Sequence, residues 1–203
     1  MPSHMACHVA YHVPLARPPR RQALCSHRRN SPYILASGAG AIVRRPVPHL
    51  SMTMLNEVYN SRILELAGNI PRLGRLASPD ATATAHSKLC GSTVTVDLKM
   101  EGDTVTDFSH DVKACALGQA SSSIMARHVV GSKADELRSL RETVRRMLKE
   151  NGAPPSGKWA DIGVLEPVRD YKARHASTLL TFDAVTAAID QIEAKRKAAI
   201  AAE

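Results

Sequence analysis

At 203 residues the chain has room for one domain and some excess. It is 44% hydrophobic but only 3% aromatic, so its core must be aliphatic, and no run approaches the roughly 18 apolar residues of a membrane helix. The net charge of +8 invites a nucleic-acid partner, yet residues 1–53 hold seven arginines and no acid, leaving 20 basic against 19 acidic residues beyond them, so no basic nucleic-acid-binding domain is supported.

The stretch 1–53 is rich in Pro, Arg, His, Ser and Ala and shows no sustained periodicity. "ARPPRRQ" and "RRPVPH" break any helix, and so little apolar surface cannot offset the entropy of ordering, so a disordered basic leader is expected. Three readings fit it: an Arg-rich, acid-free transit peptide, a functional basic tail, or translation from a start upstream of Met52 or Met54. Residues 54–203 are expected to form the domain. Leu55, Val58, Tyr59, Ile63, Leu66 and Ala67 recur at helical spacing, predicting a helix over about 55–67 that Gly68 ends in a left-handed cap position.

"IPRLGRLASPDA" reads as a loop, and "TATAHS" at 82–87 as a strand of small residues. In "GSTVTVDLKM", Val94, Val96, Leu98 and Met100 alternate with Thr93, Thr95, Asp97 and Lys99, the signature of a half-buried strand. "EGD" at 101–103 turns it into a partner strand, "TVTDFSHDV". From Gln119 the pattern is helical to Gly131, and again over Ala134–Glu150 with Leu137, Leu140, Val144, Met147 and Leu148 inward. A Pro/Gly connector, a short helix over Val164–Tyr171 and a long helix over Leu180–Lys197 follow. One helix, a meander and then helices make an α+β fold: a small antiparallel three-stranded sheet with helices packed on one face.

Four cysteines in a chain this long do not make a disulfide scaffold, so reduced thiols are expected. Cys7 and Cys25 fall in the leader. Cys90 lies where one strand ends and the next begins, and Cys115 lies 25 residues later, after the hairpin's second strand. A meander brings both points to the same edge of the sheet, where two thiols can share a soft metal. The plain alternative is a pair of small buried hydrophobes. His175, just before the last long helix, is a candidate nitrogen donor or a structural histidine, while His86, His110 and His128 read as structural. "ASSS" at 120–123 offers small hydroxyls for a helix's first turn and room for close packing. No P-loop, GxGxxG, G-x-S-x-G elbow or paired carboxylates appear, so no catalytic group is assigned.

Together, "LNEVYNSRILE…PRLGRL", "CGS", a strand hairpin, "ACALGQASSSIMARHVVG" and "W…LEPVRDYKARHASTLLTFDAVTAAI" resemble the IscU/SufU/NifU N-terminal scaffold family over about 55–195. The most specific piece is Cys115 with "ASSS" at fixed spacing. The stretch between Ala120 and His175 is closer in length to SufU-like members. The resemblance implies a non-enzymatic scaffold or carrier that binds iron or an iron–sulfur cluster, 2Fe–2S foremost, through Cys90, Cys115 and His175. It also implies a cysteine desulfurase and apo iron–sulfur acceptor proteins as partners, and a cytoplasmic setting, or the mitochondrial matrix if 1–53 is a transit peptide. Ser92 stands where the family has aspartate, Ala176 where it has its third cysteine, and "RDYKARH" where IscU-like members carry a chaperone-recognition segment. Ser92 is a poor fourth ligand, because a neutral hydroxyl binds metal weakly, so the site is expected to be open. The thiol at 176 is the family's sulfur acceptor, so that role would have to shift to Cys115 or Cys90. Two alternatives follow: a SufU-like zinc-containing sulfur acceptor for a desulfurase, and a metal-free interaction module of the same fold.

Overall fold

The computed structural model describes residues 60–202. The leader, Cys7, Cys25 and the first turn of the expected opening helix lie outside them. Helix α1 (Ser61–Gly68) starts at Asn60, whose side-chain oxygen accepts from Ile63 N at 2.9 Å, and it buries Ile63 and Leu66. Gly68 does not take the left-handed cap position expected of it. It is the last helical residue, and Asn69 closes the helix: its N–H reaches Leu66 O and its Nδ2 donates to Glu65 O at 3.0 Å. A side-chain amide that satisfies a terminal carbonyl removes the need for a left-handed residue.

The sheet is a meander of β1 (Ala81–His86), β2 (Thr93–Glu101) and β3 (Thr104–Lys113), antiparallel in the order β1-β2-β3. Gly102, at φ 58°, and Asp103 make a two-residue turn between the paired Glu101 and Thr104. A bulge opposite Lys99 and Met100 resets the alternation of β3, so that Val105 and Phe108 are both buried. Val94, Val96, Leu98 and Met100 share the inner face with Ala81 and Ala83. Helix α4 (Lys172–Ile200) lies across β1 and β2 on that face, where alanines leave room for it.

Helix α2 (Ala116–His128) sits between α1 and α4, and α3 (Ala134–Lys149) is clamped to α4 by ion pairs of Arg138 with Asp190 (2.6 Å) and Arg141 with Asp183 (2.5 Å). The five inward residues expected on α3 are all buried. Gly157–Asp170 is one long 3₁₀ segment in place of the expected short helix at 164–171. Its buried residues, Trp159, Ile162, Leu165 and Val168, recur every third position, as three residues per turn demand. Helix α4 begins eight residues before the expected Leu180. Ser177 and Thr178 turn their hydroxyls back onto Arg174 O at 2.9 and 3.0 Å, which lets polar residues occupy a buried second turn.

Between α1 and β1 the chain straps the outer face. Arg72 and Gly74 exchange backbone hydrogen bonds with His110 on the free edge of β3, and Asp80 N then bonds Leu98 O beside β1. The strap is pinned midway by Asp97, 0% exposed on the central strand. Its carboxylate accepts from Arg75 Nε (2.6 Å) and Nη2 (2.9 Å), Thr82 Oγ1 (2.6 Å) and Leu76 N (3.0 Å). Burial pushes the Asp97 pKa up, but the hydrogen bonds from Arg75, Thr82 and Leu76 outweigh it and hold the carboxyl below its ordinary value. A carboxyl depressed in the fold stabilises the native state above its unfolded pKa of about 3.9, and that contribution is lost as pH falls through the folded value. Asp97→Asn should therefore lower the unfolding free energy by about 2 kcal/mol at pH 7, and the difference from the native chain should close in urea melts below about pH 4.

Candidate functional site

The register places Thr93 opposite both His86 and Lys113, so the β1–β2 connection and the end of β3 lie at the same end of the sheet. Cys90 and Cys115 come from those two points, and both are free and half-buried. Cys90 sits in a turn closed by Ser87 N to Ser92 O and Gly91 N to Ser87 O, both 2.9 Å, with Gly91 at φ 68°, a left-handed conformation that favours glycine. Its neighbour Leu89 is 76% exposed. Cys115 is the N-cap residue of α2, rigidly joined to a helix whose residues from Leu117 to Ala126 are nearly all buried.

Cys90 Sγ lies 3.3 Å from Ser87 Oγ and 3.0 Å from Ser92 Oγ. The hydroxyl of Ser87, then that of Ser92, brings the Cys90 thiol down to about 7; partial burial opposes them, and the Ser92 N–H and the Ser177 hydroxyl add to the lowering. Cys115 Sγ lies 3.5 Å from Ser177 Oγ. Ser177, 0% exposed in the first turns of α4, thus stands beside the Cys115 sulfur. Ser92 meets the site as a hydrogen-bond partner of Cys90.

His175 is also in the first turn of α4, not before the helix, and it is buried. Its Nε2 lies 2.9 Å from Arg169 O and 3.2 Å from Val168 O. Carbonyls only accept, so Nε2 is the donor in both contacts. Among the described residues, no three His, Cys, Asp or Glu side chains gather at metal-binding distance. The structure brings Cys90 and Cys115 to the same end of the sheet, with Ser177 beside Cys115, and does not gather His175 with them. The cause is the helical start: with α4 running from Lys172, position 175 faces the 3₁₀ segment, Ala176 faces solvent and position 177 faces Cys115. His110 is fully buried, with Nε2 3.0 Å from Pro71 O, and burial lowers its pKa; His86 pairs with Thr93 and His128 packs edge-on to Trp159.

The serine run does not serve the first turn of α2, which begins at Ala116. Ser121 Oγ donates to Leu117 O and Ser123 Oγ to Asn69 O, both at 2.9 Å, so these hydroxyls tie α2 to itself and to the end of α1. The residue that lets the site close is Gly118. A Cβ there would stand 2.8 Å from Ala114 Cβ and 3.0 Å from Ser177 O, closer than atoms pack. Sequence reasoning missed Ser87, Gly118 and Ser177; the last two lie on helices whose starts were placed too late.

Two expectations follow. Alkylation of Cys90 by iodoacetamide, read peptide by peptide, should rise with pH about a midpoint near 7, and Ser87→Ala should move that midpoint up toward the ordinary thiol value of about 8.5. Gly118→Ala should cost about 1–3 kcal/mol of stability by chemical denaturation and change the alkylation rate of Cys115, because α2 and α4 must part at the site.

A model of the NifU-like N terminal domain matches residues 58–199. A crystal structure of a nitrogen-fixing NifU-like protein (N-terminal) from Brucella abortus is 68% identical, superposes with a TM-score of 0.69, and is covered over 99% of its length by 70% of this chain. The iron-sulfur cluster assembly scaffold protein IscU of Thermotoga maritima is 28% identical over 137 residues, 66% of this chain and 94% of that protein. The zinc-dependent sulfurtransferase SufU of Bacillus subtilis is 23% identical over 131 residues, 64% of this chain and 88% of its own. The matched residues run from α1 into the last turn of α4 and take in both thiols and Ser177, and the chain belongs to the NifU-like N-terminal domain family.

Proposed function

We propose that this chain is an iron–sulfur cluster assembly scaffold: it holds iron and sulfide as cargo and passes them on, and turns over no substrate of its own. One observation carries the reading. Two free cysteines, from a turn and from a helix N-cap, meet at one end of the sheet in a family whose members include named scaffold proteins. Thiolates are the donors that soft metals and iron–sulfur clusters take.

The donor set fits such a cargo in part. Cys90 and Cys115 supply two sulfurs, and the hydroxyls of Ser87 and Ser92 stabilise the Cys90 thiolate without adding charge. His175 has Nε2 held on carbonyls, as metal-ligating histidines usually do with one ring nitrogen, and it joins the thiols only if α4 shifts at its start. Ser92 is the weakest of the four candidates. An anchor of two sulfurs leaves coordination positions open, which suits a carrier that must release what it holds. Its partners on this reading are a cysteine desulfurase that supplies sulfur and apo-proteins that receive the cluster, in the cytoplasm. Among the described residues no helix is long and apolar enough to cross a membrane.

A second reading has its own support. The hydroxyls of Ser87 and Ser92 bring the Cys90 thiol down to about 7 on a turn next to the exposed Leu89, and one relative is named a zinc-dependent sulfurtransferase. There Cys90 would attack the terminal sulfur of a desulfurase persulfide and release the desulfurase's thiolate, with zinc as the resident metal. Metal and acid-labile sulfide analysis of protein purified and reconstituted without oxygen separates the two. Iron and sulfide together support the scaffold, zinc without sulfide supports the sulfur acceptor, and neither leaves a metal-free module. Cys90→Ala and Cys115→Ala should each reduce bound iron and sulfide at least about tenfold, while retention of native content in both variants would refute the site.

A further inference from the structure

One edge of the sheet is closed and the other is open. On β3, His110 gives its backbone N–H and C=O to Arg72 and Gly74 of the strap. Alternation along antiparallel strands then fixes the rest. Val96, opposite His110, turns its own groups to Ala83 of β1, and Ser87 N reaches Ser92 O at the end of the same ladder. Thr82, Thr84 and His86 therefore point their N–H and C=O groups away from β2. β1 is the last strand of its sheet, and no backbone group meets them among the described residues. Open edges are usually guarded by a lysine, a proline or a bulge. This strand reads ATATAH and pairs with β2 without a register shift.

The edge fits a second copy of itself. An antiparallel pairing centred on Thr84 sets Thr84 against Thr84 and Thr82 against His86, and it engages every one of the open N–H and C=O groups. Centring on Ala83 instead would call on the backbone of Asp80, already committed to Leu98 O and Lys195 Nζ. The side chains would repeat pairs the sheet already makes: Thr84 Oγ1 lies 3.0 Å from Thr95 Oγ1, and His86 Nδ1 lies 3.0 Å from Thr93 Oγ1. On the inner face Ala83 meets Ala85, which leaves α4 undisturbed. At both ends the register brings Lys88, in the turn past β1, level with Asp80 of the other copy, and both residues are exposed.

We propose that β1 is a homodimerisation edge: two copies pair Thr82–His86 antiparallel about a two-fold axis at Thr84, joining their sheets into one, with Lys88 of each set against Asp80 of the other. The inference goes beyond the scaffold reading and does not rest on it. The same pairing ties down the turn that carries Cys90, because Lys88 belongs to that turn.

Sedimentation equilibrium of the full chain carrying Cys7→Ser and Cys25→Ser, under reducing conditions, tests it. A contact well below about 1,200 Å² gives a weak dimer, so the mass should climb toward that of two chains only at high concentration. Thr84→Pro removes an N–H that the ladder with β2 does not use, so it should leave thermal melting nearly unchanged and weaken association at least about tenfold. Lys88→Glu should weaken it about fivefold, and adding Asp80→Lys should restore it. Residues that exchange hydrogen bonds across antiparallel strands lie about 5.5 Å apart, within reach of a disulfide. Thr84→Cys should therefore link chain to chain through position 84 under oxidised glutathione, read by peptide mapping, whereas Thr82→Cys, about 13 Å from its counterpart, should not link through position 82. A chain that stays monomeric throughout, association that survives Thr84→Pro, or a link at position 82 in preference to 84 would each overturn the proposal.

Discussion

The close approach of α2 to α4 at Gly118 is the constraint on which the site depends. Two helices whose backbones come this near need a residue without a side chain at the crossing, and here the atoms that would collide belong to Ala114 and to the backbone of Ser177. Cys115 begins one of these helices and Ser177 lies in the first turns of the other. The chemistry of the site is therefore set by a packing requirement: the thiol and the hydroxyl touch because their backbones can. The small residues that follow in α2, Ala120 and Ser121 to Ser123, extend the same economy of volume along the helix.

The sheet supplies the second half of the geometry. A meander has its connections alternately at its two ends, so the turn before β2 and the exit from β3 must coincide. That topology is held by a sheet whose inner face is covered by α4 and whose outer face carries the strap pinned on Asp97. The buried carboxylate is fully hydrogen-bonded, with a bidentate guanidinium, a hydroxyl and a backbone N–H, the condition under which a charge can sit inside a small domain. The strap also ties His110 and β3 to the segment that leaves α1, so the two faces of the sheet are linked through one stretch of chain.

Much of this is legible in the residues themselves. Val94, Val96, Leu98 and Met100 declare β2 by their period of two, and Gly102-Asp103 declares the turn. Leu137 to Leu148 declare α3 by their helical spacing, and the meeting of Cys90 and Cys115 follows from the meander alone. What is not legible has definite physical causes. Trp159, Ile162, Leu165 and Val168 have a period of three, which reads as noise against a helical template. The start of α4 is hidden because Ser177 and Thr178 look like breakers until their hydroxyls find the Arg174 carbonyl. That misplaced start is why His175 is the donor expected from the sequence while Ser177 is the residue beside Cys115. The strap escapes for a different reason: its bonds are long-range ones to Asp97 and His110, and no local pattern encodes them.

The two sulfurs are mounted on supports of unequal stiffness. Cys115 is continuous with a helix embedded on nearly every side, so displacing it means disturbing the core. Cys90 rides on a short turn closed by two backbone hydrogen bonds, with Lys88 and Leu89 facing water, so displacing it disturbs almost nothing else. Anything clasped between them is gripped by a fixed jaw and a hinged one. The hinged support carries an exposed leucine, and the rest of the fold need not follow when it moves.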